Sequence, residues 1–539
     1  MNQNQQTVID TEKQAENNQN QLQLSQISCQ ILKEIFSRFK YFIHPESIKE
    51  NGQKRLVSLD FLRGFAISLM LCIHVYQDTV SPDAIQNPIV YYLFAGPIYV
   101  TAGFRTLFIM ISGASHAFVF GSTIFGKSLD EVVISQLISI FGSFLAIPLY
   151  YIYHVSYMMT YWFQFGQIDM PQPWYKDMEV ISTPPIFYGF SQPVNQIVLL
   201  LMYLCIIKPM SRIKKMTQYH ILFAVAALSF ITAVALLFAF MPISDSLRRS
   251  FAKQINIDPA LIAVDNRECP GNYFKEVQTL QEHLRNIFYH FLSGTWMQMN
   301  CQYTFFMIRL SIGFVLSAFK YHKMEVLDSQ ATQLDINKRY MKIRKYYIIY
   351  LSLSPLIIVI VEFALLAQVR IQFESGVRSF IFDTAAFSKV SYPKKCFVPE
   401  YCAAIMCAQM YCVVLAVALF ECTTTHKAKV RAERILFLRR MSSFSFSCFV
   451  FGLAVNQPLN NILKVQDSSL SAWGYIGYLV IYFITHLLIQ CLFDTFEDKI
   501  TPDWFIKRFA HIFTMKEKFT PVSEQHLNVA PINLFGKLD

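Results

Sequence analysis

Ten runs of roughly 20 apolar residues dominate this sequence of 539 residues. A run of about 20 apolar residues is long enough to carry an α-helix across the hydrocarbon core of a bilayer. Charged residues make up only 16% of the chain, whereas soluble domains contain about 25%. The pattern predicts an all-α fold, a polytopic membrane bundle of about ten transmembrane helices. The runs lie near residues 58–79, 99–122, 132–153, 187–207, 219–241, 302–320, 346–368, 399–421, 441–462 and 472–493.

Lysine and arginine cluster in alternate loops between these runs. The segment before the first run and the loops after the fourth, sixth and eighth runs are basic, whereas the loop at 80–98 has no Lys or Arg. Short basic loops stay on the cytoplasmic side of a membrane, so we expect both termini on the cytoplasmic or equivalent matrix side. The loop at 369–398, with five basic residues, is the exception. These loops account for the net charge of +10, which therefore indicates no nucleic-acid partner.

The segments outside the apolar runs complete the predicted organisation. Residues 1–26 form a Gln- and Asn-rich tail that we expect to be disordered. Residues 27–57 predict an amphipathic helix and a linker, with the helix lying on the membrane surface or packed on the bundle. Residues 58–495 are the predicted transmembrane domain, 242–300 its largest far-side loop, and 496–539 a C-terminal tail. Cys269 and Cys396 lie in far-side loops and could pair only in an oxidising compartment.

The first apolar run carries three ionisable residues. The stretch "RLVSLDFLRGFAISLMLCIH" contains Asp60, Arg63 and His74. Arg63 and His74 are eleven positions apart in the sequence, which places both side chains on one helix face about 16 Å apart. Because ionisable groups are costly in lipid, this polar stripe is expected to face the bundle interior or a water-filled cavity.

Two interpretations of this stripe are open from physical chemistry. A neutral imidazole in such a cavity can act as a general base on a hydroxyl or amine, or can accept an acyl group itself. Arg63 could then bind an anion such as the phosphates of a coenzyme A thioester. In the alternative interpretation, Asp60 and Arg63 form a local ion pair at the helix entry and His74 only makes hydrogen bonds at the far interface.

The same stretch resembles the first helix of two groups of polytopic acyltransferases. In the acyltransferase-3 family, Asp-x-x-Arg-Gly is followed by a His, with ten residues between the Arg and the His. Asp60, Arg63, Gly64 and His74 match in identity and spacing. The start of the stretch also resembles the heparan-glucosaminide acetyltransferase group, which opens with a similar Ser-x-Asp-x-x-Arg-Gly.

The second and ninth runs differ in how well they match. "FRTLFIMISGASHAF" resembles the family's Phe-rich second helix, with Arg105, Ser112 and Gly113 at corresponding or nearby polar positions. His116 follows directly and is interpreted as an interfacial polar residue. In the ninth run, "MSSFSFSCFVFGLAVNQPL" carries Asn456-Gln457-Pro458 where the family has His-x-Pro.

The resemblance implies transfer of an acyl group from acyl-CoA to a hydroxyl or amine acceptor. His74 would be the base, Arg63 would orient donor or acceptor, and Asp60 would hold Arg63. Acyl-CoA would be a co-substrate, with no tightly bound cofactor and no metal. Substrate-binding positions would be Arg105, Ser112, Gly113 and the intramembrane Arg309, which as an alternative forms an interhelical salt bridge or extends to the interface.

A non-catalytic role is the second hypothesis, because the His-x-Pro position is altered. The acyltransferase fold would then serve as a structural accessory subunit of a large membrane complex, for example a respiratory complex of the mitochondrial inner membrane. Other membrane subunits would contact the N-terminal tail and the far-side loops, and lipids would surround the bundle. The sequence is equally compatible with an endomembrane. A transporter would need paired broken helices, which the sequence does not show.

Overall fold

The computed structural model describes residues 30, 33, 54–81, 104–165, 184–254, 302–369, 399–443, 445–465, 469–496, 501–514, 530–531 and 534–536. These residues are mostly helical. Gln30 and Lys33, which are helical and exposed, are the described part of the predicted amphipathic helix. Predictions for the tail at 1–26, for residues 255–301, and for Cys269 and Cys396 lie outside the described residues.

A helix covers most of each of the ten apolar runs. The first strand, β1, pairs in parallel with β2 as a two-residue ladder. The strands are β1 (Lys54–Arg55) and β2 (Ala530–Pro531), and the helices are α1 (Val57–Thr79), α2 (Phe104–Gly121), α3 (Leu129–Phe165), α4 (Pro184–Met202, which continues through a π-helical turn at Tyr203–Ile207), α5 (Lys208–Ser211), α6 (Gln218–Gln254), α7 (Gln302–Leu327), α8 (Gln333–Val369), α9 (Pro399–Phe420), α10 (Thr425–Arg434), α11 (Leu436–Ser443), α12 (Ser445–Ile462), α13 (Ala472–Thr495) and α14 (Pro502–Thr514).

Within the described ranges, four helical stretches are long and apolar enough to cross a membrane, judged by length and composition: Leu129–Ala146, Pro193–Ser211, Gln218–Leu236 and Trp473–Phe493. This finding supports an integral membrane protein. Helices α1 and α7 carry the ionisable residues of the candidate site and are not among the four. The total of ten spans and the side of each terminus therefore stay predictions.

Helix α2 lies at the centre of the bundle, between α1, α4 and α7. Its contact with α7 is close because small residues face each other. A methyl group at Gly313 of α7 would lie 2.5 Å from Ala117 Cβ and 2.9 Å from Phe118 N, both on α2. Ser317 Oγ, one turn further along α7, donates a hydrogen bond of 2.9 Å to Phe118 O. Small residues and interhelical hydrogen bonds are what hold helices together in lipid, where apolar contact alone gives little preference.

The opposite side of α1 packs against α11, α12 and α13. Leu71 and Val75 of α1 are fully buried in a cluster with Met441, Tyr475 and Tyr482. At the far end of α1, the backbone pairs with the segment that precedes α13, and Leu470 N donates to Thr79 O at 2.8 Å. Helix α1 is thus enclosed by two helix groups, and Asp60 of its polar stripe is 6% exposed.

A short C-terminal segment, residues 534–536, closes one end of the bundle. Glu421, which follows α9 and is 0% exposed, receives Leu534 N on Oε2 at 3.0 Å. Its Oε1 accepts Ser58 N and Ser58 Oγ, both at 3.3 Å. A carboxylate at this place satisfies backbone N–H groups in the first turn of α1 and interacts favourably with the helix dipole. Glu421 therefore ties the start of α1 to the C-terminal segment.

Aromatic and basic side chains of α7 and α8 hold the rest of this segment. The Phe535 ring is fully buried and stacks on Phe319 with centroids 4.1 Å apart. Lys323 Nζ donates to Leu534 O at 3.2 Å, and Tyr340 OH donates to Gly536 O at 2.5 Å. Burial raises the pKa of Tyr340 above its ordinary value, which keeps the phenol protonated as a donor. Part of the predicted tail at 496–539 is thus core.

Candidate functional site

The residues of the polar stripe all lie on one continuous helix, α1, which runs from Val57 to Thr79. Asp60 is 6% exposed and lies one turn before Arg63, which is half-buried. His74 is helical, on the same face as Arg63 and about 16 Å further along the axis. The side chain of His74 lies outside the described residues, and so its predicted role as base is not tested.

Arg63 reaches across to α2. Its Nη2 donates a hydrogen bond of 3.1 Å to Ser115 Oγ. Ser115 and Ser112 lie one turn apart on α2, and Ser112 is 6% exposed. The interaction joins the two helices whose sequences carry the resemblance.

Gly113 of α2 lies under the side chain of Arg309 from α7. A methyl group at Gly113 would be 2.6 Å from Arg309 Cγ and 2.7 Å from Arg309 Nε, closer than carbon atoms approach. Arg309 is 1% exposed. The glycine is therefore required for space, because it lets the stem of an arginine cross the helix. Of the predicted substrate-binding residues, the structure brings Ser112, Gly113 and Arg309 together.

His116 completes this group of side chains. It is half-buried on α2 next to Ser115, and the positive charges of Arg63 and Arg309 both act on it. Among the residues that the structure describes, none forms a hydrogen bond with its Nδ1. The sequence interpretation of His116 as merely interfacial missed this position, since only the fold brings the two arginines to it. The site thus combines two guanidinium groups and an imidazole, an arrangement that favours an anionic ligand.

Gly64, which follows Arg63, leaves space for the close approach of helix α11. A methyl group there would lie 2.6 Å from the carbonyl carbon of Leu438 in α11. One turn further along α1, Ser68 Oγ contacts Met441 Sδ at 3.3 Å. The Arg-Gly pair in the sequence therefore serves two functions: the arginine faces α2 and the glycine admits α11.

The altered late segment packs beside the distal half of α1. Asn456 is 1% exposed on α12, and its Oδ1 accepts Tyr478 OH at 2.7 Å. Tyr475 OH, one turn earlier on α13, donates to Cys72 O of α1 at 3.1 Å. Cys72 is two residues before His74, and so the segment with Asn456 in place of His borders the part of α1 that carries the predicted base.

Two further points concern the predicted substrate-binding residue Arg105 and the binding of a metal ion. Arg105 is helical in α2, but its side chain lies outside the described residues. Within the described part of the chain, no three His, Cys, Asp or Glu side chains come together in a way that could hold a metal ion.

Comparison with known proteins gives one family match. Residues 55–245 match the family model described as Heparan-alpha-glucosaminide N-acetyltransferase, catalytic. The matched region runs from β1 into α6, and it contains Asp60, Arg63, His74 and Gly113 but not Arg309. No curated protein and no solved structure matches the chain.

The match supports the resemblance to the heparan-glucosaminide acetyltransferase group that the first helix suggested, and it covers about a third of the chain. It indicates a membrane acetyltransferase-like protein. The resemblance to the acyltransferase-3 family is not shown by this match and stays an expectation.

Proposed function

We propose that this protein is a membrane acyltransferase that moves an acyl group, most simply acetyl, from acyl-CoA to a hydroxyl or amine acceptor. The observation that carries the proposal is the overlap between the matched catalytic region and the site geometry. Arg63 and His74 share one face of α1, and Arg63 donates a hydrogen bond to Ser115, the residue before His116 on α2. Ionisable groups that face a bundle interior are usually functional.

Different residues of α1 would bind the donor and activate the acceptor. Arg63, which is half-buried, binds an anionic group of the donor, with Asp60 one turn away to orient it. His74, about 16 Å further along the helix, takes the proton from the acceptor as its oxygen or nitrogen attacks the thioester carbon. The C–S bond then breaks, and the thiolate leaves as coenzyme A after taking up a proton. Arg309 is 1% exposed and packed over Gly113, which favours a positioning role for it over direct donor contact.

Binding and transfer can be tested separately with protein purified in mild detergent. We expect radiolabelled acetyl-CoA to bind wild-type protein and to bind Arg63→Ala at least tenfold more weakly. We expect His74→Ala to bind the donor normally and to transfer no label to a panel of amine and hydroxyl acceptors. His220→Ala is the matched control, because His220 is exposed on α6 and outside the site. Unchanged donor binding by Arg63→Ala would contradict the assignment.

One observation favours a second candidate function. Asn456 stands where the related acyltransferases carry a His, and its side chain is held by Tyr478. A protein with an altered active site would keep the fold as an accessory subunit of a larger membrane complex. The native mass in mild detergent distinguishes the two candidates: a monomer or homodimer supports the enzyme, and fixed stoichiometry with other subunits supports the scaffold.

A further inference from the structure

A row of polar side chains follows one face of α13. Tyr478, Tyr482, His486 and Gln490 recur at every fourth position, and each is no more than 3% exposed. A spacing of four keeps side chains on the same helix face. This face contains the middle of the apolar span Trp473–Phe493, and so the row runs through the predicted membrane interior.

Helix α12 presents a matching polar face to this row. Cys448, Asn456 and Asn460 also recur at multiples of four and are buried. Tyr478 OH bonds to Asn456 Oδ1 at 2.7 Å, and Gln490 Nε2 lies 3.6 Å from Cys448 Sγ. The two faces therefore meet along their length in antiparallel order. We call this contact, Cys448, Asn456 and Asn460 on α12 with Tyr478, Tyr482, His486 and Gln490 on α13, the polar seam.

Each end of the polar seam meets a further polar group. At one end, Asp503 of α14 accepts Ser447 N at 2.8 Å and Ser447 Oγ at 2.6 Å, beside Cys448. At the other end, Tyr475 OH donates to Cys72 O of α1 at 3.1 Å. Tyr475 and Gln490 are separated by about 22 Å along α13. The seam thus extends from a half-buried carboxylate to the distal half of α1.

Several buried atoms of the seam lack partners among the described residues. These are Nε2 of His486, Oε1 of Gln490 and both amide atoms of Asn460, which belong to side chains 2%, 2% and 3% exposed. A buried polar atom without a hydrogen-bond partner destabilises the folded state. Lipid offers no replacement, so these positions favour a polar ligand.

The chemistry of the seam favours a neutral ligand that both donates and accepts hydrogen bonds. No seam residue between Asp503 and Tyr475 carries a formal charge when its imidazole is neutral, and the unpartnered atoms include both donors and acceptors. A water molecule both donates and accepts hydrogen bonds and can bridge two polar groups. Water therefore fits the hydrogen-bonding pattern of the seam.

We propose that the polar seam holds a file of water molecules that connects Asp503 with the distal half of α1. Water lined by imidazole and phenol groups is also a medium through which protons move. The seam would therefore link the region around His74 to the opposite end of the bundle. The inference depends on the seam alone and would stand if the chain transferred no acyl group.

Hydroxyl-radical labelling by a short X-ray pulse tests the proposal, because radicals form from water molecules next to the labelled side chain. Labelling is read by mass spectrometry on the full chain in detergent. We expect Tyr482, which is 0% exposed, to be oxidised several-fold faster than Tyr340. The latter is a matched control because it is 1% exposed and its phenol is bonded to Gly536 O. Equal rates for the two tyrosines would overturn the proposal.

Two substitutions connect the labelling to the seam itself. His486→Leu removes the unpartnered imidazole and should lower Tyr482 labelling several-fold. Val480→Leu, at a side chain of α13 that is 55% exposed, should leave the labelling of Tyr482 unchanged. If His486→Leu fails to fold, Gln490→Leu serves instead. Labelling of Tyr482 that persists at the wild-type rate in a folded seam variant would overturn the proposal.

Discussion

The stem of Arg309 crosses directly over Gly113, and a methyl group on the glycine would come within 2.6 Å of Arg309 Cγ. The two residues belong to α7 and α2, and both are predicted substrate-binding positions. An arginine held in this way has little freedom, which fixes its charge beside His116.

Gly113→Ala should therefore destabilise the protein by about 1–3 kcal/mol, because the buried stem of Arg309 has to move. Thermal unfolding of detergent-solubilised protein should show a fall in Tm of several degrees. Gly477→Ala is the matched control: it lies in α13 with no atom within 4 Å of the added methyl, so it should hold or raise Tm. A Tm for Gly113→Ala equal to that of the control would contradict the packing argument.

Glu421→Gln should weaken the attachment of the C-terminal segment. Both carboxylate oxygens accept hydrogen bonds, one from Ser58 and the other from Leu534. A glutamine has only one acceptor oxygen, so its NH₂ group must face either of these N–H donors. The unmet bond should cost about 1–3 kcal/mol, measured as a lower Tm. Glu433→Gln, in the half-buried part of α10, should have little effect, and an equal loss in both variants would refute the explanation.

Phe535→Ala should remove the aromatic contact that places the same segment in the core. The ring is 0% exposed and stacks on Phe319, and truncation of a buried Phe typically costs about 3–5 kcal/mol. Limited proteolysis should then cut near residue 530 faster than in wild type. Phe505→Ala provides the comparison because Phe505 is 44% exposed. Wild-type resistance to proteolysis in Phe535→Ala would show that the segment is held by its other contacts.

The stability of the folded protein should fall as the pH is lowered because of His322, which lies two residues beyond the predicted span 302–320. Its ring stacks on Tyr219 at 3.9 Å, and burial together with the nearby His220 lowers the pKa of His322 below its ordinary value. The folded state thus favours the neutral ring, while the unfolded chain takes up a proton at higher pH. This contribution is complete above the unfolded pKa of about 6.5 and is lost as the pH falls through the lowered folded pKa.

His322→Phe removes this titration and should keep the stacking on Tyr219. We expect the decrease in Tm between neutral and mildly acidic buffer to be smaller by a few degrees in the variant. The exposed His426 of α10 offers the control His426→Phe, which should keep the wild-type decrease. An identical acid-induced decrease in wild type and His322→Phe would contradict the assignment.

The helices and the polar face of α1 could be predicted because they depend on local pattern. Apolar runs of sufficient length form helices in lipid, and eleven positions between Arg63 and His74 bring both to one face whatever packs against it. The partner of Arg63 could not be predicted, since Ser115 lies 52 positions away. Resemblance indicated that Gly113 mattered, but only the packing of α7 gives the reason.

The burial of the C-terminal segment, residues 534–536, could not be predicted from the sequence. "NLFG" is a short apolar stretch in a polar tail, too short to show any periodicity, and it was predicted as part of a tail. Its burial depends on Phe319 of α7, Tyr340 of α8 and Glu421, which follows α9. These contacts join residues that are far apart in the sequence. Hydropathy along the sequence therefore cannot predict them.

The same segment sets an order in time for the assembly of the bundle. Leu534 follows its partner Lys323 by 211 residues, and chains grow at about 5–20 residues per second. The face of Phe319 that Phe535 covers must therefore wait roughly 10–40 s during synthesis. Throughout that interval, this end of the bundle presents an open aromatic surface to lipid, to the insertion machinery or to a neighbouring chain.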